Sequence, residues 1–153
     1  MFNNYSNYYD FFYQDKEYQK ETDFIVNLLK KNEILKGNIL EFGSGTGKHG
    51  CLLGERGYNV HGIELSSDMV AKSKINSKFT CQQGDIAKVK LDKSFDAVIS
   101  LFHVISYQTS NAQIKSVFEN AAGSNSKVEN FRKLILATSK DIRVLLVKIA
   151  DRL

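Results

Sequence analysis

The chain contains no proline and no tryptophan, and it has only two cysteines. Cys51 and Cys81 have no second pair beside them, which excludes a disulfide framework or a cysteine-rich zinc site and indicates a reducing, cytoplasmic compartment. No apolar run approaches the roughly 20 residues that a bilayer span requires. Residues 1–13 are aromatic and polar rather than basic and then apolar, so we expect no signal peptide and no membrane partner.

Most of the chain has no excess of positive or negative charge. Residues 127–153 carry seven Lys or Arg against three acidic side chains, which accounts for the whole formal net charge of +4, whereas residues 1–126 are balanced. The body of the chain therefore gives no electrostatic argument for a nucleic-acid partner. We expect the basic tail to be a solvated helix face.

With 153 residues, 42% apolar and 25% charged, the chain is expected to form one globular unit of the α/β class. Short apolar runs that predict buried strands alternate with segments of helical spacing, the pattern of a parallel sheet with helices on its faces. Right-handed crossovers then place the strands in the order 3-2-1-4. The predicted strands are 39–42, 59–63, 78–82 and 95–102, and the predicted helices are 8–33, a segment that ends before Gly57, 68–73 and 111–122.

The tail after Gly123 has a different pattern. Apolar residues recur at helical spacing before and after Ser139, which predicts a C-terminal helical pair. The segment Arg143–Ile149 is rich in β-branched residues, so an edge strand is the alternative for it. We therefore divide the chain into residues 1–123 and residues 124–153.

A glycine-rich loop, Gly43-Ser44-Gly45-Thr46-Gly47, lies between the first predicted strand and the helix that follows it. Glycines allow the backbone to turn tightly and approach a ligand, and the helix start presents N–H groups without intrahelical partners. Glu64 ends the second predicted strand, 21 residues after Gly43, and an acid at this place accepts hydrogen bonds from both hydroxyls of a ribose. Loop and acid together predict a nucleoside site at the carboxyl edge of the sheet; a ligand-free tight turn is the alternative.

Three ligand classes compete for such a loop. A dinucleotide fingerprint needs a third glycine where Lys48 stands. A phosphate-binding P-loop needs a glycine where Phe42 stands and a hydroxyl where His49 stands. The pattern E-x-G-x-G-x-G, which begins at Glu41, and the acid after the second strand fit S-adenosylmethionine, which has a ribose but no phosphate.

Over about residues 5–122 the chain resembles class I S-adenosylmethionine-dependent methyltransferases. The matching blocks are NILEFGSGTGKHG (38–50), VHGIELSSDMV (60–70), CQQGDIAKV (81–89) and FDAVISLFHVISY (95–107). The resemblance implies a Rossmann-like sheet, S-adenosylmethionine as cofactor and S-adenosylhomocysteine as product. It implies that Glu64 binds the ribose and that Asp85 binds the adenine amino group. The implied cofactor contacts in this part of the chain are Glu41, Gly43, Ser44, Gly45, Glu64, Leu65, Met69, Asp85, Ile86 and Leu101.

The aromatic N-terminus resembles the Y-D-x-x-Y…Y-x-x-E segment of small-molecule methyltransferases, including those that act on nucleotide-linked sugars. Tyr9, Tyr13 and Tyr18 are the matching positions, and the resemblance implies that a tyrosine of this segment closes over the cofactor. The alternative is a packed aromatic helix. We therefore expect a small-molecule acceptor, with a nucleotide-linked sugar as one candidate.

Methyl transfer requires a base only when the acceptor must lose a proton. His103, just past the fourth predicted strand, is the best-placed candidate base, with a packing role as the alternative. His49 and His61 are interpreted as structural, and no metal site is expected.

Residues 130–153 resemble a segment of the hydrolase domain of RelA/SpoT-type enzymes, which make and degrade (p)ppGpp. The resemblance implies a manganese ligand at Asp151, but the other ligands of that family have no counterpart here, and one carboxylate does not hold a catalytic metal. We interpret the tail as a fragment without its own chemistry, fused to a truncated methyltransferase that lacks its last strands. The open edge of the fourth strand then predicts a homo-oligomer.

These patterns leave three hypotheses for function. The first is a bacterial-type S-adenosylmethionine-binding methyltransferase for a small-molecule acceptor, with its transfer activity retained or lost through truncation. The second is a non-catalytic S-adenosylmethionine-binding or oligomerisation module. The third is a role in (p)ppGpp metabolism, which the missing metal ligands disfavour. Methyl transfer to an acceptor separates the first hypothesis from the second.

Overall fold

The computed structural model describes residues 18–102, the positions 104, 112–113, 116–117 and 119, and the segments 131–138 and 143–149. These residues form an open sheet with helices packed against it. The helices are α1 (Tyr18–Lys31), α2 (Lys48–Glu55) and α3 (Ser67–Lys72). The strands are β1 (Gly37–Phe42), β2 (Tyr58–Glu64), β3 (Phe79–Gln83), β4 (Ala97–Leu101), β5 (Phe131–Thr138) and β6 (Arg143–Ile149).

The strands are arranged in the order β3-β2-β1-β4-β6-β5. Strands β1 to β4 are parallel, so the predicted order 3-2-1-4 is confirmed. Each of these strands begins and ends within two residues of its predicted bounds. Because they run in one direction, their carboxyl ends lie along a single edge of the sheet, where α/β proteins bind ligands.

The predicted C-terminal helical pair is wrong, because the described part of the tail forms the antiparallel hairpin β5–β6. β6 also pairs antiparallel with β4, where Ile99 lies opposite Leu146. A dense run of apolar residues fits the periodicity of a helix and that of a strand equally well. Without a partner, the edge of β4 would leave N–H and C=O groups unpaired, and a further strand pairs with them. The alternative prediction of an edge strand at Arg143–Ile149 is right about the strand. It is wrong about the edge, because β6 lies between β4 and β5.

Helix α1 packs on one face of the sheet through residues at helical spacing. Ile25 and Leu29 are fully buried and belong to one core cluster with Ile39 of β1 and Ile99 of β4. Strands β1 and β4 are buried on both faces, which explains why their sequences are apolar runs. The part of the predicted helix before Tyr18 lies outside the described residues. The cluster on the opposite face contains Leu40, Phe42, Ile63, Ile86, Val98 and Val117.

Helix α3 begins and ends one residue before its predicted bounds, 68–73. Ser66 is its N-cap residue, and the Ser66 Oγ accepts a hydrogen bond from Met69 N at 3.4 Å. For the helix predicted over residues 111–122, the described positions 112–113, 116–117 and 119 are helical. None of the helices in the described part of the chain is long and apolar enough to cross a membrane.

Candidate functional site

Four chain segments meet at the carboxyl edge of the sheet. β1 ends at Phe42 and leads into the glycine loop, and β2 ends at Glu64 just before α3. β3 leads into Asp85, and β4 ends at Leu101. Since these strands are parallel and adjacent, their ends lie side by side. This edge is the candidate site.

The glycine loop has a left-handed backbone at three positions. Gly43, Gly45 and Gly47 have φ angles of 70°, 57° and 81°, values that L side chains rarely adopt. The amides of Gly43 and Ser44 both donate to Ile63 O, at 2.8 and 3.2 Å. The end of β2 therefore fixes the path of the loop before any ligand binds.

Within the part of the chain that the structure describes, only one of the three loop glycines has open space at its Cβ position. A Cβ atom at Gly43 would lie 2.5 Å from Val104 Cγ2, and one at Gly47 would lie 2.4 Å from Phe79 Cε1. A Cβ at Gly45 would meet no atom of the described residues closer than Met69 Sδ, at 3.9 Å. Gly43 and Gly47 are thus required by packing, whereas Gly45 leaves room for a ligand to approach the backbone closely.

The Glu64 carboxylate connects the glycine loop to the turn after β2. Its Oε2 accepts a hydrogen bond from Gly45 N at 2.8 Å, and its Oε1 accepts one from Ser66 N at 2.9 Å. Each carboxylate oxygen has a second lone pair, so Glu64 can also accept a hydrogen bond from a ligand hydroxyl. Glu64 therefore lies at the predicted place and has a structural role that the sequence did not indicate.

Asp85 and Ile86 follow β3 at the same edge. Asp85 Oδ1 accepts a hydrogen bond from Ala87 N at 2.9 Å, and Asp85 Oδ2 lies 3.7 Å from Lys88 Nζ. The Asp85 carboxylate is partly exposed, whereas Ile86 and Met69 are only 7% exposed. The edge thus offers an acceptor oxygen and apolar side chains, which is the chemistry that an adenine ring with an amino group requires.

The other predicted contacts differ in exposure. Glu41, Ser44 and Leu101 are buried, whereas Leu65 is 66% exposed. Glu41 lies beneath α2, because a Cβ at Gly50 would lie 3.1 Å from Glu41 Oε2. The structure therefore places Glu41 behind the glycine loop and Leu65 at the surface of the site.

A cluster of side chains beside the glycine loop was not predicted. His49, in the first turn of α2, lies with its Nε2 2.7 Å from Glu21 Oε2 of α1, and both side chains are buried. The His49 ring also packs 4.9 Å from the Tyr18 ring and 6.0 Å from the Phe102 ring, measured between centroids. The sequence does indicate Glu21, which lies three residues after Tyr18 in the Y-x-x-E pattern. Spacing alone does not reveal that Glu21 pairs with His49.

Three predicted residues, Tyr9, Tyr13 and His103, lie outside the described residues. His61 on β2 hydrogen-bonds through both ring nitrogens, to Thr80 Oγ1 at 2.7 Å and to Gln82 Oε1 at 3.1 Å. Burial lowers the pKa of His61, so the ring is neutral at pH 7.

Both cysteines are free and partly buried. Burial raises the pKa of the Cys51 thiol and of the Cys81 thiol, which makes both poor nucleophiles at neutral pH. Within the described ranges, no group of three His, Cys, Asp or Glu side chains is placed to hold a metal ion.

The sequence profile of the methyltransferase domain family matches residues 39–124 of the chain. An uncharacterized methyltransferase from Bacillus cereus (strain 03BB102) is 32% identical over 124 residues, which cover 74% of this chain and 57% of the relative. A similar protein from Bacillus mycoides (strain KBAB4) is 33% identical over 110 residues, which cover 67% and 50%. The chain thus spans about half the length of the curated relatives it matches.

Solved structures with a similar fold include two methyltransferases that act on sugars. The sugar N-methyltransferase KedS8 from Streptoalloteichus sp. ATCC 53650 has a TM-score of 0.67 and 27% identity, over 74% of this chain and 47% of that chain. The amino pentose methyltransferase CalS10 from Micromonospora echinaspora, solved with S-adenosylmethionine bound, has a TM-score of 0.65 and 23% identity, over 71% and 47%.

The family profile covers more than half of the chain, and the residues it matches include the glycine loop, Glu64 and Asp85. The backbone at Gly45 and the acceptor oxygens of Glu64 and Asp85 all lie within the matched residues. The chain therefore belongs to the methyltransferase domain family, with the parallel-sheet fold of these methyltransferase structures.

Proposed function

We propose that the carboxyl edge of the sheet binds S-adenosylmethionine and that the chain is the cofactor-binding part of a methyltransferase for a small-molecule acceptor. The observation that carries the proposal is the open backbone at Gly45 beside the Glu64 carboxylate. Gly47, two residues further along the loop, differs in that the Phe79 ring lies against it.

Each residue at the edge has a distinct part in this proposal. Glu64 accepts hydrogen bonds from the ribose hydroxyls while it keeps the glycine loop in place. Gly45 lets the methionyl part pass close to the backbone, and Asp85 accepts from the adenine amino group. Ile86 and Met69 supply apolar surface for the ring. When bound, S-adenosylmethionine supplies a methyl group on a sulfonium for in-line transfer to an acceptor nucleophile.

For the acceptor we propose an amino group or hydroxyl of a sugar, carried on a nucleotide. This is supported by the similarity to a sugar N-methyltransferase at 27% identity. It is also supported by the Y-x-x-E pattern at Tyr18 and Glu21, at the start of α1. His103 stays the candidate base for an acceptor that must lose a proton.

The first experiment is calorimetric titration of the purified chain with S-adenosylhomocysteine, and with NAD and ADP as ligands of the two rival loop types. We expect micromolar binding of S-adenosylhomocysteine and no binding of NAD or ADP. Transfer of a radiolabelled methyl group to a nucleotide-linked amino sugar then tests the acceptor. Binding of NAD or ADP in preference to S-adenosylhomocysteine would contradict the cofactor part of the proposal.

The C-terminal tail contributes no separate function to this proposal. The similarity of residues 130–153 to a (p)ppGpp hydrolase segment stays a prediction, and its one matching carboxylate, Asp151, lies outside the described residues. The division at residue 123, the homo-oligomer and the cytoplasmic location also stay predictions. The premise of the homo-oligomer, an open edge of β4 in a sheet without further strands, is wrong, because β6 pairs with β4 and β5 with β6. The alternative of a non-catalytic binding module stays a prediction too. Such a module would bind S-adenosylhomocysteine in the titration and transfer no methyl group.

A further inference from the structure

Polar contacts join α1 to the α2 region at both ends of α2, and they differ in burial. At the start of α2, His49 Nε2 lies 2.7 Å from Glu21 Oε2, with side-chain exposures of 9% and 5%. Past the end of α2, Arg56 Nη2 lies 2.8 Å from Asp23 Oδ1, with exposures of 30% and 58%. The buried link lies at the end of α2 that follows the glycine loop, and the exposed link lies at the far end.

The buried link belongs to a row of rings that runs from α1 to the end of β4. The Tyr18 ring packs on the His49 ring, and the His49 ring faces that of Phe102. Lys48 Nζ lies 5.0 Å from the centroid of the Tyr18 ring. Phe102 follows β4 directly and has a φ of 59°, a strained value of the kind that occurs at functional sites.

The position of Tyr18 therefore depends on the pair beside it. Tyr18 is the first residue of α1, and Glu21 lies one turn further along the same helix. Because a buried carboxylate is costly without a hydrogen-bonding partner, Glu21 holds this turn of α1 against the first turn of α2. That turn of α2 immediately follows Gly47, so the loop and the Tyr18 ring are held in one arrangement.

We propose that Glu21 and His49 are positioning residues for the cofactor site. They fix the Tyr18 ring beside the glycine loop, where it covers the bound cofactor and excludes water, and so make cofactor affinity depend on α1. This inference rests on the proposed function, because it assumes that the edge binds S-adenosylmethionine. It assigns a role at the site to His49, which the sequence indicated only as structural.

The test measures S-adenosylhomocysteine affinity by calorimetry and thermal unfolding without ligand, for Tyr18→Ala, His49→Gln and the double variant. We expect Tyr18→Ala and His49→Gln each to weaken affinity about five- to tenfold, the size of a lost aromatic contact. The double variant should be little weaker than either single variant, because both remove the same contact. Glu21→Ala, which removes the acceptor 2.7 Å from His49 Nε2, should behave like His49→Gln.

A matched control separates positioning from stability. Asp23→Ala removes one acceptor of Arg56, which keeps Gln19 Oε1 at 2.9 Å, and this change between the same helices should leave the affinity unchanged. Affinity losses that add in the double variant, or a His49→Gln variant that melts earlier but binds normally, would overturn the inference while the proposed function stands. A wild-type chain that does not bind S-adenosylhomocysteine would overturn both.

Discussion

Alanine in place of Gly45 is expected to weaken S-adenosylhomocysteine binding at least a hundredfold, about 2.7 kcal/mol, in a chain that remains folded. Gly45 has a φ of 57°, and a Cβ there would lie at least 3.9 Å from every atom of the residues that the structure describes. The substitution therefore lowers the free energy of unfolding only by the cost of alanine in a left-handed backbone conformation, about 1–2 kcal/mol. Binding loses more, because the new methyl group occupies the space through which the ligand approaches the backbone.

Gly47→Ala is the matched control for this prediction. Gly47 has a φ of 81°, and its Cβ would lie 2.4 Å from Cε1 of the fully buried Phe79 ring. Overpacking adds about 1–3 kcal/mol to the backbone cost, so urea unfolding should show Gly47→Ala to be the less stable variant. Calorimetry then gives the affinity of Gly45→Ala at a temperature where it is folded. Wild-type affinity in Gly45→Ala would remove this position from the cofactor site.

The four parallel strands could be predicted because their signals are local. β1 and β2 are short apolar or alternating runs, each followed by glycine or capping residues, and right-handed crossovers leave few possible orders. The tail could not be predicted in the same way. Leu145 and Leu146 of β6 fit a helix as well as a strand, and they are paired with β4, more than 40 residues earlier in the chain. The tail forms strands because the edge of β4 provides a strand with which β6 pairs.

For the candidate site, too, local features could be predicted and contacts between distant residues could not. Gly45 and Glu64 could be located because glycine spacing and the end of β2 are properties of the backbone path. The bond between Glu64 Oε2 and Gly45 N, and the pair formed by Glu21 and His49, join residues 19 and 28 positions apart. Such contacts depend on how α1 packs on α2 and how the loop folds over β2. No pattern within one segment reports them.

Loss of the Glu64 carboxylate is expected to lower both stability and affinity. In Glu64→Ala, the amides of Gly45 and Ser66 lose the acceptors that lie 2.8 and 2.9 Å away. Leaving a donor unsatisfied costs about 1–3 kcal/mol when it is buried, and these amides are partly buried, so the loss of stability lies towards the lower end of that range. The ribose hydroxyls lose their acceptor as well, so we expect S-adenosylhomocysteine affinity to fall at least a hundredfold, about 2.7 kcal/mol.

Glu64→Gln separates the two roles. The amide keeps the side-chain volume and one oxygen, so one of the two backbone N–H groups retains its acceptor and the variant should be more stable than Glu64→Ala. It offers a single oxygen to the two ribose hydroxyls, so its affinity should still fall. Asp96→Asn makes the same chemical change at the opposite edge of the sheet, where Asp96 Oδ2 accepts from Asn38 N at 2.7 Å. This control should leave the affinity unchanged.

Thermal unfolding with and without S-adenosylhomocysteine measures both quantities for every variant. A ligand at one hundred times its dissociation constant stabilises the folded state by about 2.7 kcal/mol, so the wild type and Asp96→Asn should melt clearly higher with ligand. Glu64→Ala and Glu64→Gln should show little increase at the same concentration. If Glu64→Gln kept the wild-type increase, the carboxylate would serve only to hold the glycine loop, and the ribose would have to be bound by other groups at the edge.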